Sequence, residues 1–312
     1  MNNKKIATTI GIVIFLLVAG TYFETLNTPN TQANTSELGV CLHLYQFDTN
    51  TTELLEQINS KWIRIDWIPN QMDNVINIIK GNGIKILAIL DHNTMTFADP
   101  PNLNFSLSQW ATTVQSIMET DAAKKVDAWE IWNEPNVEKF QLGYMNGNPQ
   151  NYADMLKSAS LAIKSVSNAS LIAAGLSPDY PNSTNPNWKT WLIDFNATSS
   201  QSFFDFQGVH LYDDLITNSH ILSQTEDIMK KGVWITEIGQ PSAPSPYSNQ
   251  DQSSYLFSNF QMLSETNNPV FWYQLKDETA GSPEKENHFG LFDAQNNPKD
   301  ASIVFTAFTS KP

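Results

Sequence analysis

A chain of 312 residues, 41% hydrophobic and 16% charged, has room for one large domain or two ordinary ones and is too apolar to be disordered throughout. Its 18 basic residues face 32 acidic ones, a net charge of −14, which argues against nucleic acid as a partner. Arg64 is the single arginine; every other basic residue is lysine.

Lys4 and Lys5 precede an uncharged apolar run over 6–23. This is the pattern of a signal peptide or an N-terminal membrane anchor, and the run is just long enough to span a bilayer. Residues 24–37 are polar and read as a linker, which leaves 38–312 as the folded domain. The domain is therefore expected outside the cytoplasm, secreted or held at the cell surface. Cys41 is the only cysteine, so neither an intrachain disulfide nor a cysteine zinc site can form. The five histidines make no HExxH pair, and no P-loop, GxGxxG or GxSxG occurs.

From residue 39 onward, short β-branched apolar runs alternate with amphipathic stretches. Strands are expected at 39–45, 61–67, 83–90, 126–133, 170–176, 204–212, 232–238 and 269–275. Helical spacing lies between them, as over 151–166, where Tyr152, Met155, Leu156, Ala159, Ile163 and Val166 share a face. A last helix is expected over 300–308. Strand–helix alternation implies a parallel sheet, and eight units in about 275 residues fit a single-domain (β/α)8 barrel. A doubly wound open sheet has the same alternation and stays open as an alternative.

In such a barrel, function belongs at the C-terminal strand ends. The polar residues there are His43 and Tyr45 on strand 1, Arg64 and Asp66 on strand 2, and Asp91 and His92 on strand 3. Asn133 and Glu134 end strand 4, His210 and Tyr212 strand 6, Glu237 strand 7, and Trp272 and Gln274 strand 8. His43 and His92 are either substrate-binding groups or satisfied strand-end polars. Trp62, Trp129 and Trp234 read as core, while Trp110, Trp188 and Trp191 are open between core and cleft. Strict alternation places Trp132 and Glu134 on one strand face and Asn133 on the other, so both Asn133 and Glu134 can serve one site only if the strand end twists or bulges. Glu130, deeper on the same side as Glu134, reads as a hydrogen-bonded interior residue.

The run W-E-I-W-N-E-P-N, 129–136, resembles the strand-4 motif of the clan A glycoside hydrolases, the retaining β-glycosidase barrels, and is closest to families such as family 39. Further matches follow in the right order: the IRID segment holding Arg64, His210-Leu211-Tyr212, Ile235-Thr236-Glu237, and Trp272. The resemblance implies Glu134 as acid/base and Glu237 as nucleophile of a double displacement through a glycosyl-enzyme. It implies that Asn133 bonds the sugar 2-hydroxyl, Tyr212 donates to the nucleophile, Arg64 keeps Glu237 ionised, and Trp272 forms the floor under the sugar, with His210 and His92 as supporting groups. It implies no metal or organic cofactor, and a β-linked poly- or oligosaccharide as substrate. A monomer is expected. The competing readings are a barrel that binds polysaccharide without turnover and a non-carbohydrate enzyme on the same fold.

Overall fold

The computed structural model describes residues 37–98, 103–178, 188–264, 266–279 and 283–310. The expected signal or anchor (1–23) and all but the last residue of the linker (24–37) lie outside the described residues. Eight strands, β1 (Leu38–Leu42), β2 (Trp62–Asp66), β3 (Lys85–Leu90), β4 (Ala128–Asn133), β5 (Ser170–Leu176), β6 (Phe206–Leu211), β7 (Val233–Ile238) and β8 (Val270–Trp272), pair in parallel and in chain order. β8 closes on β1, with Gly39 beside Phe271 and Val40 beside Trp272. Closure decides for the (β/α)8 barrel over the open sheet.

Nine α-helices are described: α1 (Thr51–Gln57), α2 (Met72–Gly81), α3 (His92–Thr96), α4 (Leu107–Met118), α5 (Pro149–Lys164), α6 (Trp188–Asn196), α7 (Leu215–Met229), α8 (Asn249–Leu263) and α9 (Asp300–Thr309). Among the described residues no helix is long and apolar enough to cross a membrane. Side-chain caps fix where several of them begin. Asp91 accepts the N–H groups of Asn93 and Thr94, and Asp214 those of Ile216 and Thr217, satisfying donors that the first helical turn leaves unpaired. Asp91 follows directly on the end of β3 and Asp214 lies three residues past the end of β6, so both caps sit at the mouth of the barrel. In α5, Tyr152, Met155, Leu156, Ala159 and Ile163 are buried as expected, while Val166 lies beyond the helix and is exposed. Gly83 leaves α2 at φ +72, and Lys230 takes the left-handed position after α7.

Two expected strands are shorter than their apolar runs. β1 stops at Leu42 because His43 caps a 3-10 turn, Leu44–Gln46, its backbone N–H bonded to the Gln46 side chain at 3.2 Å. β8 stops at Trp272.

The strands bury two faces. Outward residues and the helices form the large core, which holds Trp110, Trp129, Trp191 and Trp272. Trp110 and Trp191 are fully buried and line no cleft, and Trp188 packs partly buried against the same core. Inward residues fill the barrel: Cys41, Trp62, Leu87, Ala128, Ile172, Trp234 and Phe271. Trp62 meets Trp234 edge-on, with ring centroids 5.4 Å apart. One alternation further along the strands, the inward positions turn polar, with Arg64 on β2 and Glu130 on β4. The barrel thus has an apolar plug below a layer of charged groups.

Candidate active site

The polar layer is organised around Arg64. Its guanidinium is buried and uses three donors on three partners: Nε on Glu130 Oε2 at 2.6 Å, Nη1 on Glu237 Oε1 at 2.7 Å, and Nη2 on Asn133 Oδ1 at 3.0 Å. Charge-assisted bonds of this length are among the strongest available to side chains, and a planar fork fixes its partners relative to one another. The other Glu237 oxygen accepts the Tyr212 hydroxyl at 2.5 Å. His210, fully buried, has Nδ1 2.8 Å from Glu134 Oε1 and 3.5 Å from Glu237 Oε2. Arg64, Asn133, Glu134, His210, Tyr212 and Glu237 therefore converge on one mouth.

The electrostatics follow from these contacts. Burial alone would push Glu237 up, but His210, Arg64 and the Tyr212 hydroxyl outweigh it and hold its carboxyl below the ordinary range. Burial disfavours a charged His210, yet the neighbouring Glu237 and Glu134 raise it. Burial and the Glu237 anion push the Tyr212 phenol well up, so it stays a donor.

The alternation problem on β4 has a local solution. Trp132 and Glu134 both adopt left-handed backbone, φ +75 and +43, a conformation costing non-glycine residues roughly 1–3 kcal/mol each. Ile131 and Trp132 consequently both face the outer core, and the next residues turn inward. Trp132 packs on Phe105 and Trp110 and donates its indole N–H to Phe140 O at 3.0 Å. The Glu134 N–H bonds Gly175 O at 3.0 Å. These contacts hold the kink that presents Asn133 and Glu134 together. Gly175 serves a second purpose, since a Cβ there would lie 2.2 Å from His210 Nε2 and 2.5 Å from Thr236 Oγ1. Register shifts on β5, β6 and β7 fall at the same end of the barrel, as bulges near active sites do.

Residues 98–302 match the family of the glycosyl hydrolase catalytic core. The chain belongs to that family. Solved structures agree in fold. A family 39 glycoside hydrolase from Bacteroides cellulosilyticus WH2 superposes with TM-score 0.64 at 20% identity over 91% of this chain and 65% of that one. A monomeric β-xylosidase from Caulobacter crescentus CB15 gives 0.65 at 13%, over 88% and 68%. A β-galacturonidase from Eisenbergiella tayi gives 0.59 at 14%, over 87% and 50%. The chain thus spans between half and about two thirds of the length of these structures. No curated protein matches the chain by sequence.

One expected position in this glycosyl hydrolase core needs correction. Trp272 is fully buried, stacked edge-on against Tyr255 and Phe260 with its N–H on Phe289 O at 3.0 Å. It offers no face to a sugar. Alternation explains this: Phe271 lies inside the barrel, so Trp272 points out and Tyr273 points in. Tyr273 packs against the interior cluster and edge-on to Tyr212. His92 opens α3, with its ring on Phe140 and Nδ1 3.1 Å from Asp91 Oδ2. Burial disfavours its charge, but Asp91 and the more distant Asp66 raise it.

Motif matching alone does not reveal a further wall of the mouth. His43 Nδ1 bonds Asp66 Oδ2 at 2.7 Å and Nε2 lies 3.3 Å from the Tyr273 hydroxyl. Burial opposes its charge, but Asp66 and then Glu278 and Glu237 lift it to about 9. Tyr45 stacks on His43 and donates to Glu278 at 2.7 Å. The strand-end position of His43, Tyr45 and Asp66 was a signal for this wall, and alternation from Phe271 was one for Tyr273.

Among the described residues, Glu134, His210 and Glu237 form the grouping whose ligand atoms lie within 4.8 Å of one another. The Arg64 cation already bonded to Glu237 would repel a metal ion placed there.

Proposed function

We propose that the protein is a retaining β-glycosidase acting on β-linked poly- or oligosaccharide through a glycosyl-enzyme formed on Glu237. The observation that carries this reading is the separation of the two carboxylates, which bring oxygens within 4.8 Å of each other. Carboxyl groups stand roughly 5–5.5 Å apart for direct attack and about 6.5–9.5 Å apart for water-mediated inversion, and oxygens this near favour direct attack.

In the first step Glu134 gives a proton to the leaving oxygen while Glu237 Oε2 or Oε1 attacks the anomeric carbon. In the second step Glu134 takes a proton from water, which displaces Glu237. Arg64 and Tyr212 keep Glu237 anionic and aimed. Arg64 also occupies the Asn133 carbonyl, which leaves the Asn133 amide N–H groups for the sugar 2-hydroxyl. Tyr273 replaces Trp272 as the aromatic wall, and His43 supplies a hydrogen-bonding group beside it. The apolar run after Lys4 and Lys5 supports delivery outside the cytoplasm, where a polysaccharide is within reach.

The test is a panel of aryl β-glycosides and polysaccharides with sizing of the products. Reducing sugar released by the native protein and lost in Glu134→Ala and Glu237→Ala supports the reading. Binding of a polysaccharide without turnover of any glycoside contradicts it.

A further inference from the structure

Glu130 has no exposed surface and cannot touch a sugar, yet its two oxygens bond to both halves of the site. Oε2 takes the Arg64 Nε–H at 2.6 Å, and Oε1 takes the Gly175 N–H at 2.9 Å. With Nε pinned, the guanidinium plane cannot turn, so Nη1 stays on Glu237 and Nη2 on Asn133. Gly175 in turn accepts the Glu134 N–H through its carbonyl, at the left-handed turn that brings Glu134 to the mouth. Pairing for its own sake does not account for Glu130. Arg64 and Glu237 already pair with each other, so a second buried carboxyl group on the same guanidinium adds desolvation cost rather than a first partner.

Building on the proposed function, we propose that Glu130 is a positioning residue that divides the charge of Arg64 between two carboxylates and ties the nucleophile's cation to the backbone of the acid/base. A carboxylate facing an undivided guanidinium is over-stabilised as an anion and attacks poorly, because that stabilisation is lost as the ester forms. The other groups facing Glu237 are Arg64 from β2, Glu134 from β4, and His210 and Tyr212 from β6. His43 and Cys41 reach it from the β1 side, and Tyr273 and Glu286 from beyond β8. Of these groups Arg64 is the one hydrogen-bonded to Glu130, and it is the route by which replacing Glu130 reaches Glu237.

The experiment compares wild type with Glu130→Gln, each labelled with 13C at the glutamate side-chain carboxyl, with Glu237→Gln identifying the Glu237 signal. The Glu237 midpoint is expected to fall by about one pH unit in Glu130→Gln. The acid limb of kcat/KM is expected to move the same way, with kcat/KM down about 10²-fold. Glu130→Asp keeps the charge but not the reach, so its Glu237 midpoint should stay near wild type while kcat/KM falls more than about tenfold; it carries the test if Glu130→Gln does not fold. An unmoved midpoint with only a lowered Tm, an upward shift, or full activity in Glu130→Asp would overturn the proposal. A wild type that cleaves no glycoside sinks the functional reading instead, and the NMR midpoint still decides the charge relation.

Discussion

The Arg64 guanidinium meets the Glu237 carboxylate at 2.7 Å although 173 residues separate them in the chain. Barrel closure brings β2 within three strands of β7 around one interior, and the single arginine bridges them. Its fork geometry, rather than its charge alone, is what the contact uses. Arg64→Lys should therefore lower kcat/KM by about 10²–10³-fold, the loss typical of removing one fixed charge-stabilising donor. Steady-state kinetics on the best panel substrate checks this; activity within a few-fold of wild type would remove Arg64 from the site.

Tyr212→Phe removes the short hydroxyl bond that helps hold Glu237 low. With that donor gone the folded-state value of Glu237 rises, so the acid limb of kcat/KM should shift to higher pH. A limb that stays in place, measured over the acid range, would show that the bond does not reach the nucleophile's ionisation.

The pattern read from sequence was strongest where chemistry and strand ends coincide. Arg64, Asn133, Glu134, His210, Tyr212 and Glu237 each follow from a motif at the end of an apolar run, and the structure brings all six together. Trp272 misled because the motif supplied an aromatic residue without the strand's phase. Phe271 facing the barrel puts Tyr273, not Trp272, in the mouth. The kink at Trp132 was required by alternation, but its left-handed backbone depends on packing against Phe105 and Trp110 that no local pattern encodes. Barrel closure was likewise open, because eight strand–helix units do not distinguish a closed sheet from an open one.

Gly175→Ala tests the close approach of β5 to His210. The added Cβ would fall 2.2 Å from His210 Nε2 and 2.5 Å from Thr236 Oγ1, so the histidine must shift from its place beside Glu134. A loss of about 1–3 kcal/mol in unfolding free energy is expected, with a larger fall in kcat than in stability to heat. Denaturant unfolding alongside kinetics separates the two.

The His43–Asp66 pair carries a pH signature. The folded-state value of His43 lies above its ordinary 6.5, at about 9, so its stabilisation is fully present below about 6.5 and is lost as pH rises through 9. Asp66 is held below its ordinary 3.8, by His43 against burial, so its share is lost only on acidification. The Tm gap between wild type and His43→Ala should accordingly be widest near pH 5–6 and close toward pH 10. A gap independent of pH would mean that the pair is not charged.

The central claim, double displacement through Glu237, is tested most directly by the configuration of the first sugar released. Proton NMR of an early time course on the best aryl β-glycoside should show the β-anomer first, with the α-anomer appearing only by mutarotation. An α-anomer released first would mean inversion and would contradict the account.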